Sequence, residues 1–149
     1  MPKHLNFEVV PLSQVPAKFP IPEIAALPVV LVVDDEPLIA NTLVAILRKQ
    51  NYAATAAYNA EEALAIARII PPDYLITDIL MPRMSGIDLA IAIKESTPDC
   101  KVLLFSGHVN VTQLQDDPRC ADYDFPILSK PIHPDLLLAC IASLSPAVA

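Results

Sequence analysis

Three short apolar runs each stop at a charged residue, and this pattern restricts the fold more than any other feature of the chain. Val29-Val-Leu-Val-Val33 stops at Asp34 and Asp35, Tyr74-Leu-Ile-Thr77 stops at Asp78, and a run at residues 127–129 stops at Lys130, which precedes Pro131. A continuous β-branched run such as the first suits a strand buried on both faces of a parallel sheet. Right-handed crossovers then bring every strand's C-terminus to one edge, the edge where open α/β folds build their sites. Acids and an amine gathered there can hold a hard metal ion and a phosphoryl group.

Between these runs the pattern turns helical. Pro37 suits a first helical turn, where its missing N–H is harmless, and Ile39, Leu43, Ile46 and Leu47 give residues 38–49 an apolar stripe. Asn51 suits a left-handed stop. Residues 52–58 read as a modest second strand. Asn59 is placed as an N-cap, with Glu61 and Glu62 favouring the dipole of a helix that Pro71-Pro72 ends. Residues 73–78 form the third strand, 81–86 a loop, and 86–95 a helix burying Leu89 and Ile93. A fourth strand over 101–105 ends at Ser106-Gly107. Residues 109–116 read as a short, weak helix broken at Asp117-Pro118. A fifth strand covers 127–129, and a last helix over 134–144 opens with Pro134. Strands and helices in this alternation predict an α/β fold, a doubly wound five-stranded parallel sheet with flanking helices.

Residues 1–28 depart from the alternation. Pro2, Pro11, Pro16, Pro20, Pro22 and Pro28 exclude a helix or a central strand. Phe7, Val9, Val10, Leu12, Val15, Phe19, Ile21, Ile24 and Leu27 nevertheless exceed the apolar content of a disordered tail. We therefore expect a Pro-rich extended arm over 1–28, resting on the domain or on a second copy, and one domain over 29–149. The 149 residues, 54% hydrophobic, suffice for a single core.

A net charge of −7 with no run of Lys or Arg argues against nucleic acid as a partner. No apolar stretch approaches the roughly 18 residues of a membrane span. The N-terminus lacks the basic start and apolar core of a secretory signal, so a cytoplasmic location is expected. Cys100, Cys120 and Cys140 form no CxxC pair and read as reduced thiols. His4, His108 and His133 share no metal-like spacing and read as surface or loop residues.

The sheet edge is thus expected to hold Asp34, Asp35, Asp78, Ser106 and Lys130. Carboxylates converge only where a cation offsets their repulsion. Carboxylate, carbonyl and water ligands suit Mg²⁺, which leaves room for a phosphate oxygen. Lys130 supplies a point charge for a second phosphate oxygen, and Ser106 a hydroxyl for a third. Asp78 is placed as the nucleophile, since carboxylates form acyl phosphates.

Val32-Val-Asp-Asp-Glu-Pro37, Asp78-Ile-Leu-Met-Pro-Arg-Met-Ser-Gly86, Phe105-Ser-Gly107 and Ser129-Lys-Pro131 stand in the order and near the spacing of a known family. Over residues 29–145 the chain resembles the receiver domain of two-component response regulators. The resemblance implies a flavodoxin-like receiver topology with Asp78 as phosphoacceptor. Asp35 would ligate Mg²⁺ directly, Asp34 mainly through a water, and Leu80 through its backbone carbonyl. Ser106 and Lys130 would bind the phosphoryl group, and the Lys130–Pro131 peptide would be cis. The donor would be a phosphohistidine of a sensor histidine kinase or phosphotransfer protein. Output would pass by protein–protein contact to a downstream protein. No enzyme activity is implied beyond self-phosphorylation from a donor and autodephosphorylation. Because no output domain follows the receiver before Ala149, a stand-alone regulator is expected.

The chain departs from the family at Ile127, which takes the place of an aromatic residue three positions before the lysine. Leu80 and His108, two positions after Asp78 and Ser106, flank the path of water or donor. Competing readings are a degenerate receiver that acts as a phosphorylation-independent interaction module, an aspartyl phosphatase, and a flavin binder. The phosphatase would want an acid where Leu80 stands, and the flavin binder aromatic residues at the strand ends. Leu136-Leu-Leu138 cannot wholly face inward on a helix. Its outward leucine is either an ordinary exposed residue or a homodimer contact, and Leu137 and Leu138 are the positions to substitute.

Overall fold

The computed structural model describes residues 27–107 and 123–144, together with Ser13 and Pro118. The strands are β1 (Val29–Val33), β2 (Ala53–Ala57), β3 (Tyr74–Asp78), β4 (Lys101–Ser106) and β5 (Ile127–Ser129). The helices are α1 (Pro37–Lys49), α2 (Ala60–Ile69), α3 (Gly86–Ser96) and α4 (Pro134–Leu144). All strand pairs are parallel and the order is β2-β1-β3-β4-β5. From β1 the chain moves outward to β2 and then returns past β1 to β3. That reversal opens a crevice between the C-termini of β1 and β3, where ligands bind in folds of this kind.

Alternation along each strand divides the core into two layers. Leu31, Val33, Leu75 and Leu104 face α2 and α3, where Ala63, Leu89 and Ile93 complete one layer. Val30, Val32, Ile76, Leu103 and Phe105 face α1 and α4, meeting Leu43, Leu47, Leu137 and Ile141. Burial of both faces explains why β1 and β3 read as near-continuous apolar runs.

The helix boundaries follow their local signals. Pro37 opens α1, and Asn51 takes the left-handed conformation after it, at φ 65°. The Asn59 side chain accepts the Glu62 N–H at 2.7 Å, capping α2. Ser85 and Asp88 form a reciprocal capping box at the start of α3. That pairing is legible in the Ser-x-x-Asp spacing, though sequence reasoning passed over it. In α4 the outward leucine is Leu136, 49% exposed, whereas Leu137 is fully buried. Leu137 is therefore a core residue and no probe of a surface contact. The helix expected over 109–116 lies outside the described residues, as do Cys120, His4, His108 and all of the expected arm save positions 13, 27 and 28.

Candidate functional site

The first acid is placed by the end of β1. The Asp34 N–H continues the ladder to the Ala57 carbonyl at 3.2 Å, and its side chain is fully buried. Its Oδ1 accepts the Glu36 N–H at 2.9 Å, which turns the chain into α1. Asp35, the next residue, is exposed.

Asp78 ends β3 opposite Phe105 and is also buried. The Thr77 hydroxyl donates to the Asp78 carbonyl at 2.9 Å, and the Ile79 N–H donates to the Phe105 carbonyl at 3.1 Å. Gly86 donates its N–H to the Ile79 carbonyl at 2.9 Å. A β-carbon at Gly86 would overlap the Asp78 carbonyl oxygen, so only glycine lets α3 start this close to β3.

Lys130 follows β5, and its N–H donates to the Ser106 carbonyl at 2.9 Å. The Lys130–Pro131 peptide is cis, as the family resemblance implies. Its ammonium reaches back across the sheet edge. Nζ stands 3.1 Å from Asp34 Oδ2 and 3.3 Å from Asp78 Oδ2, and 5.1 Å from the centre of the Phe105 ring. The ring steadies the cation from below. Ser106, buried at the end of β4, occupies the same edge beside Ser129.

Asp34, Asp35 and Asp78 each offer a carboxylate oxygen, and these oxygens all lie within 4.8 Å of one another. Burial pushes the Asp34 carboxyl above its ordinary range, although the Glu36 N–H and Lys130 pull it down. Burial likewise raises the Asp78 carboxyl, against the Lys130 charge and a backbone hydrogen bond from Leu80. Burial alone would lower the Lys130 ammonium, but Asp34 and Asp78 more than offset that and hold it above its ordinary value. Asp34 Oδ2 is buried and accepts no hydrogen bond; Lys130 pairs with it by charge, off the hydrogen-bonding direction. An all-oxygen donor set with one such oxygen fits a hard divalent cation.

The four charged residues singled out from the sequence thus converge, with Ser106 on the adjoining strand end. Leu80 is 57% exposed at the mouth of the site. His133 is exposed beside Asp135 and takes no part. Thr77, Phe105 and Gly86 support the site; Phe105 and Gly86 stand in the motifs quoted from the sequence, but the contacts all three make were not foreseen there. Gly86 is one of only two glycines in the chain.

A family model described as the response regulator receiver domain matches residues 30–142. The response regulator receiver protein CpdR of Brucella abortus is 35% identical over 104 residues, covering 70% of this chain and 85% of that protein. The nitrogen assimilation regulatory protein NtrX of Azorhizobium caulinodans is 33% identical over 111 residues, 73% of this chain. The matched part spans only 24% of NtrX, and 33% of the probable transcriptional regulatory protein TcrX of Mycobacterium tuberculosis. Among solved structures, the chemotaxis protein CheY4 of Vibrio cholerae superposes with a TM-score of 0.72 at 25% identity, covering 80% of this chain and 99% of that one. The response regulator TrrA of Thermotoga maritima, in complex with Mg²⁺ and BeF, gives a TM-score of 0.69 at 30% identity, covering 80% of this chain and all of that one.

Proposed function

Because this chain belongs to the response regulator receiver family, we propose that Asp78 accepts a phosphoryl group from a phosphohistidine and that the chain passes the signal on by protein contact. An oxygen of the Asp78 carboxylate attacks phosphorus. The new O–P bond forms as the donor's N–P bond breaks, and the imidazole leaves. Hydrolysis of the acyl phosphate by water returns the carboxylate and releases inorganic phosphate. The observation that best supports this reading is the convergence of Lys130 Nζ on Asp34 and Asp78, at 3.1 and 3.3 Å, inside a cluster of three acids.

The residues divide the work by position. Lys130 reaches Asp78 Oδ2 and follows the charge that builds on the phosphoryl oxygens. Ser106 presents a hydroxyl from the neighbouring strand end. Asp34, Asp35, Asp78 and the Leu80 carbonyl would hold Mg²⁺, whose charge neutralises phosphoryl oxygens during transfer. Asp34 and Asp78 are both buried in the crevice, where their charges act more strongly than in water.

A sensor histidine kinase or a phosphotransfer protein would be the donor, in the cytoplasm. No helix among the described residues is long and apolar enough to cross a membrane. A stand-alone regulator is supported by CpdR, a receiver protein 85% of which this chain covers. Incubation with Mg²⁺ and acetyl phosphate should label the native chain and leave Asp78→Asn unlabelled. Labelling that persists in Asp78→Asn, or that ignores Mg²⁺, would reject the assignment.

One observation favours the phosphorylation-independent reading. Ile127 is half-buried against the core layer of α2 and α3, so no aromatic ring is available at that position to swing toward Ser106. Calorimetry separates the two readings, since an interaction module without phosphoryl chemistry has no need to bind Mg²⁺.

A further inference from the structure

β2 ends the sheet on one side, so among the described residues one side of its backbone faces no strand. The Ala53 N–H donates to the Pro28 carbonyl at 2.8 Å, and the Ala57 carbonyl accepts the Asp34 N–H at 3.2 Å. Backbone groups of successive strand residues point to opposite sides. The N–H and carbonyl of Ala54 and of Ala56 therefore point away from β1. An open edge of this kind templates a further strand, and proteins blunt it with charged side chains, proline or bulges. Ala53-Ala-Thr-Ala-Ala57 holds no charged residue and no proline. Its register with β1 runs residue by residue, without a bulge.

The cover comes from α1. Arg48, in the last turn of that helix, donates from Nε to the Ala54 carbonyl at 3.0 Å. An incoming strand has to break that bond and lay its backbone against a guanidinium, and a charge covered without an acceptor is costly. Asn41, Ala45 and Arg48 share one face of α1. With Ala56 and Tyr58 they line a hollow of about 390 Å³ beside the edge. Arg48 is the one charged residue among the described residues that line it.

The edge is complementary to itself. Ala54 and Ala56 stand two residues apart, so a second copy turned end for end about Thr55 sets each of their N–H groups against a carbonyl of the other chain. Thr55 is exposed and would meet its own counterpart, a pair that favours strand association. Methyl side chains hold neither backbone away. No acid among the described residues lines the hollow, so two chains of net charge −7 meet here without acid facing acid. The two Arg48 guanidinium groups are the obstacle. The Leu47 carbonyl already takes the Tyr52 N–H at 3.2 Å, which confines the pairing to the strand.

We propose that Arg48 guards the β2 edge: while it holds the Ala54 carbonyl the edge is closed, and without it two copies of the chain join their β2 strands antiparallel into one continuous sheet. The test compares the full native chain with Arg48→Met, which keeps the stem and loses the donor, and with Arg48→Ala. In sedimentation at equal concentration both variants should raise the dimer fraction by about fivefold or more. The Ala54 and Ala56 amides should exchange hydrogen quickly in the native chain and about tenfold more slowly in the variant dimer. Ala56→Pro removes an outward N–H and leaves the bonds to β1 in place. Added to Arg48→Met, it should return the dimer fraction to the native value. A dimer fraction that neither Arg48 substitution changes would overturn the proposal. So would association that survives Ala56→Pro, association that leaves the two amides fast, or amides at Ala54 and Ala56 that are already slow in the native chain.

Discussion

The α-carbon of Gly86 is pressed against the backbone carbonyl of Asp78, with no room for a β-carbon between them. The start of α3 and the end of β3 are therefore one rigid unit, joined also by the Gly86 N–H to the Ile79 carbonyl at 2.9 Å. Gly86→Ala must push either α3 or the Asp78 backbone aside. Overpacking of this kind costs about 1–3 kcal/mol. Urea unfolding should show that loss. Labelling by acetyl phosphate should fall by more than the unfolded fraction explains, because Asp78 itself is displaced. Full labelling in a destabilised Gly86→Ala chain would show that β3 does not move.

Lys130 is the counter-charge shared by two buried acids. Lys130→Met keeps the stem and removes the cation. Breaking a buried pair costs about 3–5 kcal/mol. Here either acid can take up a proton, so the expected loss in metal-free buffer is smaller, about 2 kcal/mol. Thermal unfolding with and without Mg²⁺ checks the idea. The ion should raise the Tm of Lys130→Met more than that of the native chain, since the acids then have no other cation. An equal rise in both would mean that Lys130 and the ion do not share these carboxylates.

The site also sets a pH dependence. Asp34 and Asp78 are both raised above the usual 3.8, burial being the main cause. Between 3.8 and the raised values the folded chain binds protons that the unfolded chain has released, so stability falls as pH rises through that window. Lys130 is raised above the usual 10.5, so its contribution is intact below 10.5 and is lost as pH climbs through the folded value. Asp34→Asn can keep the hydrogen bond to the Glu36 N–H while removing the buried charge. Without Mg²⁺ it should unfold at a higher temperature than the native chain near neutral pH. The gap should close as pH approaches 3.8. A native chain that is the more stable of the two near neutral pH would show that pairing with Lys130 outweighs desolvation.

The charged site was legible because each of its residues interrupts an apolar run, and parallel topology sends all such interruptions to one edge. Lys130 and Asp78 could be assigned to one place although 52 residues separate them. What was not legible depends on how elements meet. The Gly86–Asp78 approach needs the position of α3 against β3, and the Lys130–Phe105 stacking needs the path of a flexible stem. Arg83 adopts φ 70° in the loop after β3, where residue type alone would have favoured Gly or Asn. In Leu136-Leu-Leu138 the inward residue had an available signal, since Leu137 and Ile141 stand four apart on one helix face. The consecutive leucines obscured it.

That helix face yields a sharp contrast between neighbours. Leu137 has no exposed surface and packs with Ile141 into the layer under α1, whereas Leu136 is 49% exposed. Leu137→Ala should cost about 2–5 kcal/mol, by lost transfer energy and by the cavity left behind. Leu136→Ala should change stability by about 0.5 kcal/mol or less. Urea denaturation of both variants, with unchanged m-values, is the measurement. Leu136→Glu then serves as the clean probe of self-association through α4, because it leaves the core untouched. A lowered dimer fraction in sedimentation would identify α4 as the contact, and an unchanged fraction would make Leu136 an ordinary exposed leucine. A cost at Leu136→Ala as large as that at Leu137→Ala would show that something covers Leu136 in the folded protein.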